Sequence, residues 1–168
     1  DAIVLTCGVD CQDDRIEVEI VAFGVGEECW GIEYKTIYGA ITNPATWTSL
    51  DEFLNRSWKH ESGVQLRVAS AMIDTGYQSK IVYDFCKPRE VNRVFAIKGV
   101  AGVNRPVVSR PNRGNSAKVA LFSLGVDSAK ELIYSRLKIE DSGAGYCHFP
   151  IGQCYDEEYF EQLTAEKA

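Results

Sequence analysis

The stretch Ile3-Val-Leu-Thr-Cys-Gly-Val-Asp10-Cys-Gln-Asp-Asp-Arg15-Ile-Glu-Val-Glu-Ile-Val-Ala-Phe23 decides the fold. Ile3, Leu5, Cys7, Val9 and Cys11 alternate with Val4, Thr6, Gly8, Asp10 and Gln12, the period-two pattern of a strand with one packed face. Asp10 belongs to the other face. Ile16, Val18, Ile20 and Ala22 alternate with Arg15, Glu17 and Glu19, which predicts a half-exposed second strand, and Gly24-Val-Gly26 turns the chain into a third run from Cys29 to Tyr38. Two hairpins in succession predict an antiparallel three-strand meander.

Beyond the meander, Asn43-Pro44 offers an N-cap followed by proline at the first helical position. Trp47, Leu50, Leu54 and Trp58 recur at helical spacing, predicting a packed helix that lasts until Gly63. Leu66 to Ile73 is apolar on both faces, as in a central strand covered by helices on both sides, and stops at Asp74-Thr75-Gly76. Ile81, Val82, Phe85 and Cys86 form a helical stripe closed by Pro88, and Val91 to Ile97 is a further strand ending at Lys98-Gly99. Residues 99 to 118 are rich in Gly, Pro, Asn, Ser and Arg without apolar period, which predicts a long loop or flexible hairpin. Val119 to Val126 is a strand candidate, and Ser128-x-x-Glu131 makes a capping box for a helix burying Ala129, Leu132, Ile133 and Leu137. Tyr146 to Pro150 suits a short edge strand, and the acids from Asp156 open a last helix carrying Tyr159, Phe160 and Leu163. The pattern predicts an α/β fold: a mixed sheet, antiparallel meander plus parallel strands, flanked by helices on both faces.

A chain of 168 residues with 45% apolar content is long enough for one core and short for two, so a single domain, 1–168, is expected. No apolar run approaches bilayer length, and Asp1-Ala-Ile-Val-Leu lacks the basic region of a signal peptide, so a cytoplasmic protein without membrane contact is expected. The cysteines at 7, 11, 29, 86, 147 and 154 show no C-x-x-C spacing and read as buried reduced thiols. A net charge of −6 opposes non-specific nucleic-acid binding by the whole surface. Contact with DNA must be local, and basic residues do cluster between Lys87 and Lys118.

Asp10 and Asp74 end the first and fourth predicted strands. If those strands are neighbours, the two carboxylates converge on one divalent metal, since hard Mg2+ and Mn2+ prefer carboxylate oxygen. A pair of such ions about 3.5–4 Å apart activates water and steadies the leaving oxygen in phosphodiester cleavage. The plain alternative is that each aspartate is an N-cap or turn former. Asp14 is either a turn residue or a contributor to the same cluster, and Asp127 either favours a helix N-terminus or joins the active site. Lys98 at a strand end is placed to orient a carboxylate or hold a phosphate, if it is more than a surface lysine. Arg105, Arg110, Arg113 and Lys118 lie in or at the end of the flexible segment, where phosphate contact competes with simple solvation. His148 reads as a structural histidine rather than a proton shuttle.

The strings Leu5-Thr-Cys-Gly-Val-Asp10-Cys-Gln-Asp-Asp-Arg15, Glu27-Glu-Cys-Trp-Gly-Ile-Glu33-Tyr, Ile73-Asp-Thr-Gly76, Val82-Tyr-Asp-Phe, Ala96-Ile-Lys-Gly99, Gly125-Val-Asp-Ser-Ala-Lys130-Glu, His148-Phe-Pro150 and Gln162-Leu-Thr-Ala-Glu166 occur in order along the chain. Together they resemble the nuclease region of lambda-like terminase large subunits. The resemblance implies an RNase H-like endonuclease that cuts concatemeric viral double-stranded DNA with clustered acids and Mg2+ or Mn2+, two ions in the complete domain. Asp10 and Asp74 would be two of those acids, with Asp127 and Asp14 as further candidates. It also implies an N-terminal ATP-driven motor, and the small subunit and portal as partners of the full-length protein in the host cytoplasm. No G-x-x-x-x-G-K-[ST] occurs, so no ATP site is expected here. The family's third acid lies on a helix beyond Leu163-Thr-Ala-Glu166. The domain is therefore expected to be truncated at its C-terminus, to bind metal weakly and to cut poorly unless Asp127, Asp14 or an acid of the tail substitutes.

Rival expectations are weaker. Asp74-Thr75-Gly76 matches an aspartic protease loop, but that chemistry needs a second such loop. An actin-like ATPase would need glycine-rich phosphate turns where Cys11-Gln-Asp-Asp-Arg15 stands. The remaining alternative is a non-catalytic DNA-guiding or docking module of a packaging machine.

Overall fold

The structure, a computed structural model, describes residues 1–151 and 154–165. The meander forms as its alternation requires: β1 (Val4–Cys11), β2 (Arg15–Phe23) and β3 (Cys29–Tyr38) pair antiparallel in sequence order. Then come α1 (Pro44–Leu54), β4 (Ser57–Lys59), β5 (Gln65–Asp74), α2 (Ser79–Cys86), β6 (Val94–Val100), β7 (Leu121–Gly125), α3 (Val126–Arg136), β8 (Cys147–His148) and α4 (Glu157–Thr164). The sheet order is β7-β6-β5-β1-β2-β3-β8, with β4 attached to β5. β1, β5, β6 and β7 run parallel to one another, and β8 runs parallel to β3. This is a mixed α/β sheet with a meander on one side and parallel strands on the other.

One face is the core. Leu5, Cys7, Val9 and Cys11 of β1 and Ile16, Val18, Ile20 and Ala22 of β2 are buried together with Leu50 and Phe53 of α1 and Val82, Phe85 and Cys86 of α2. Asn43 caps α1 by accepting a hydrogen bond from the Ala45 amide, and the rings of Trp47 and Phe85 meet at 4.8 Å, so α1 and α2 pack side by side. The other face is covered unevenly. Tyr159 of α4 donates to Glu19 of β2 at 2.8 Å and its ring meets Tyr34 of β3 at 5.5 Å, so α4 lies over the meander. α3 contacts β7 and reaches α4 through Tyr134, whose hydroxyl donates to the Leu163 carbonyl at 3.5 Å.

Several expectations need correction. The first helix stops at Leu54 rather than near Gly63, and Trp58 sits in β4, because Ser57–Lys59 pairs antiparallel with Gln65–Arg67 and the chain reverses through Gly63 at φ +88°. The helical spacing of Trp58 is coincidental; a non-local strand pairing outweighs it. β5 is central but is not buried on both faces: Ala71 and Ile73 are buried while Ser70 and Met72 are half-exposed, since α3 and α4 cover other strands. Residues 87–92 form a tight 3-10 turn, so the next strand begins at Val94 and not at Val91. The capping box of Ser128 and Glu131 does not form, because α3 begins earlier, behind Gly125. The apolar side of α3 is not buried either, with Leu132 and Ile133 39% and 42% exposed.

Gly31 marks the tightest joint between the sheet and the segment before α4. A Cβ at Gly31 would lie 2.5 Å from Cζ of Tyr155, whose ring is buried against β3. Gly31→Ala is expected to cost about 1–3 kcal/mol through this overlap. Urea unfolding checks it, and wild-type stability would mean that Tyr155 does not occupy that seat.

Candidate active site at the strand ends

Val9 of β1 is in register with Ile73 of β5, and both side chains are buried on the face covered by α1 and α2. Side chains alternate along a strand, so the next residues, Asp10 and Asp74, stand side by side on the opposite face. Adjacent strands lie about 4.8 Å apart, which puts the two carboxylates within reach of a common partner. The thiol of Cys11 senses both: burial chiefly pushes it up to about 12, and the charges of Asp10 and Asp74 add to the shift.

Each carboxylate is held locally. Asp10 Oδ2 accepts from Nε2 of Gln12, and Asp74 Oδ2 accepts from the Gly76 amide at 2.9 Å. The Asp-Thr-Gly triplet is a turn locked to the neighbouring strand, since both the amide and the hydroxyl of Thr75 donate to the Ile97 carbonyl, at 2.9 and 2.8 Å. The Tyr77 hydroxyl donates to Asp13 Oδ1 at 2.7 Å, tying the loop after β5 to the loop after β1. The strands thus set the positions and the loops set the orientations.

Glu17 belongs to the same row. It pairs with Asp10 across the β1–β2 hairpin, on the same face, and accepts from Arg15 Nε at 2.7 Å. Asp74, Asp10 and Glu17 therefore follow one another across three neighbouring strands. Sequence reasoning passed over Glu17, although a hairpin centred between Asp13 and Asp14 pairs residue 10 with residue 17. Among the described residues, no group of three His, Cys, Asp or Glu side chains is arranged to hold a metal ion. Two neighbouring carboxylates are nevertheless oxygen donors of the kind that hard cations such as Mg2+ prefer, with water and phosphate commonly filling the remaining positions.

The other candidates lie elsewhere. Asp14 is 72% exposed and pairs with Arg15 at 3.0 Å, at the lip of a cleft of about 360 Å³ that also involves Glu17, Tyr34 and Glu158. Asp127 Oδ2 accepts from the Gly102 amide at 2.8 Å, and β6 lies between its own strand-end, that of β7, and β5. Lys98 alternates with Val94 and Ala96 and so belongs to the face opposite Asp74. Arg113 is engaged by Glu90 through two contacts of 2.7 and 3.2 Å, and the Lys118 carbonyl accepts from both Arg113 and Lys87. Arg113 is the main reason that the Glu90 carboxyl is held below its usual range. Arg105 Nε folds back onto the Ala101 carbonyl at 2.9 Å, while Arg110 is exposed and has no ion-pair partner among the described residues. His148 stacks on Trp30 at 4.9 Å and meets Glu28 at 2.7 Å, a structural placement. Glu166 lies outside the described residues.

Carboxylates side by side at the ends of parallel strands, in a sheet that begins as an antiparallel meander, define the RNase H-like type of α/β domain. The chain belongs to the family described as terminase large subunit gpA, endonuclease domain, whose profile matches residues 1–168. It is 35% identical over 169 residues to the terminase large subunit of Escherichia phage lambda, covering 97% of this chain and 26% of that protein. It is 30% identical over 171 residues to the terminase large subunit of Enterobacteria phage P21, covering 98% of this chain and 26% of that one. The chain thus spans about a quarter of the length of these relatives. No solved structure shows significant similarity to it. No helix among the described residues is long and apolar enough to cross a membrane.

Glu19 shares the face of Asp10 but lies beneath α4. Burial raises its carboxyl above the ordinary range, and the hydrogen bond from Tyr159 only partly offsets this. The unfolded chain ionises this group at lower pH than the folded one, so between those two points the folded state holds the extra proton and stability falls as pH rises. Glu19→Gln is expected to remove that decline and to gain on the wild type in thermal unfolding as pH rises above about 4, the ordinary ionisation range of a glutamate. A constant difference across that range would show that Glu19 does not titrate with folding.

Proposed function

We propose that this chain is the metal-dependent endonuclease domain of a viral DNA-packaging terminase, hydrolysing phosphodiester bonds of concatemeric double-stranded DNA. The observation that carries the proposal is the β1–β5 register that seats Asp10 beside Asp74, in a chain of this family. Asp10 and Asp74 would together hold Mg2+ or Mn2+. When bound, such an ion supplies Lewis-acid stabilisation of the charge that develops on the phosphate.

The chain's own residues supply positioning. Gln12 and the Gly76 amide fix which carboxylate oxygens remain available, and the Tyr77–Asp13 hydrogen bond keeps the two loops from parting. The half-open face over β5 gives a duplex access to the pair, which a fully covered sheet would deny. With a net charge of −6, attraction of the phosphate backbone falls to the basic segment rather than to the surface at large. In this role the partners are double-stranded DNA and, through a longer polypeptide such as those of the relatives, the terminase small subunit and portal, in the host cytoplasm.

Plasmid nicking in Mn2+ tests the proposal. Asp10→Asn and Asp74→Asn are each expected to lower the rate at least about a hundredfold. They should melt no lower than the wild type without metal, because like charges directly opposite one another destabilise a sheet. Nicking that survives both substitutions sinks the assignment. A wild-type chain that binds duplex but never nicks it, alone or extended beyond residue 168, favours the guiding module instead.

A further inference from the structure

The first turn of α3 grips the base of the basic hairpin. Asp127 accepts from the Gly102 amide at 2.8 Å, and the Ser128 hydroxyl donates to the Arg105 carbonyl at 2.6 Å. The Gly125 amide donates to the Val107 carbonyl at 3.0 Å, and a Cβ at Gly125 would lie 2.6 Å from the Pro106 carbonyl. Residues at the junction of β7 and α3 thus hold residues 102 to 107, a turn that Gly102 and Asn104 close with φ of +133° and +60°. Beyond the grip the chain runs back along β7, bridging Val108 to Leu124 and Asn112 to Leu121. The segment therefore covers the outer edge of the sheet instead of moving freely, and it departs from the end of β6, the strand next to Asp74.

The grip also sorts the basic residues. Arg113, farther along, is bound to Glu90, whereas Arg105 on the gripped stretch and Arg110 just beyond it are exposed. Asp127 follows β7, three strands from the β1 strand of Asp10, and its carboxylate is engaged by the backbone amide of the loop it holds. We propose that Asp127 is a positioning residue: by holding Gly102 it aims the hairpin so that Arg105 and Arg110 meet the phosphate backbone of duplex DNA lying over the Asp10–Asp74 pair. This rests on the nuclease proposal for what happens to the DNA, but not for its binding.

Fluorescence anisotropy with a short labelled duplex in metal-free buffer, repeated at several salt concentrations, separates the two. Asp127→Ala is expected to weaken binding about three- to tenfold, as loss of one partly buried hydrogen bond allows. Asp127→Asn should bind within about twofold of wild type, since an amide oxygen accepts the same N–H. Arg110→Ala should flatten the dependence of log affinity on log salt by about one phosphate contact. If Asp127→Ala folds poorly, Ser128→Ala tests the second point of the grip and should shift binding in the same direction. In nicking, Asp127→Ala should raise KM more than it lowers kcat, with rescue by Asp127→Asn. A wild type that binds no duplex at low salt, or Asp127→Ala and Ser128→Ala that bind as wild type, overturns the proposal. So does an Asp127→Asn that binds normally and cuts as little as Asp10→Asn, for that would put the carboxylate in the chemistry. Because binding is read without cleavage, a failure of the nuclease proposal leaves this result standing, and the reverse also holds.

Discussion

The parallel pairing of β1 with β5 is the constraint on which the rest depends. Val9 and Ile73 meet in the core, and their burial fixes which residues come next on the other side. A slip of one residue in either strand would send an aspartate into the apolar layer beneath α1 and α2 and bring Val9 or Ile73 to the surface. The cost of burying an unpaired carboxylate and exposing a large aliphatic side chain makes that slip prohibitive. The core thus enforces the juxtaposition of two like charges that have no attraction for each other. The meander contributes the same kind of constraint from the other side, since Ile16 and Val18 hold the hairpin register that sets Glu17 opposite Asp10.

Charge is distributed in the folded chain according to what neighbours it, more than according to sign. The basic cluster from Lys87 to Lys118 looks uniform in the sequence, yet Arg89 pairs with Asp51 at 2.6 Å and Arg113 with Glu90 at 2.7 Å, which knits the turn after α2 to α1 and to the end of the hairpin. These pairs use up cations that composition alone would assign to a ligand. Acids divide in the same way: Glu19 is sealed under Tyr159, Glu28 holds His148, and Asp10 and Asp74 remain on the open part of the face. A protein with a net charge of −6 can present a local basic edge only if its cations are sorted like this.

Local chemistry carried much of this into the sequence. The alternation from Ile3 to Phe23, the Asn43-Pro44 start of α1 and the acids that open α4 are short-range signals, and each element formed where they stand. The failures arise where a distant segment wins. Trp58 keeps a helical spacing with Trp47, but β5 offers Ser57–Lys59 a strand partner. Ser128 has the look of an N-cap, but its hydroxyl serves the Arg105 carbonyl while the helix has already begun. Leu132 and Ile133 have the periodicity of a buried face, but among the described residues they stay 39% and 42% exposed.

Taken alone, the sequence determined the types of most elements though not β4, the faces of the first two strands, and the pair of aspartates most worth following, because period and capping are properties of neighbours along the chain. Only the tertiary structure decided that β5 lies beside β1, that Glu17 stands in their row, and that Asp127 is turned to the hairpin. Those outcomes depend on strand order and register, which are set by how separate apolar surfaces fit together and leave no trace in any one segment.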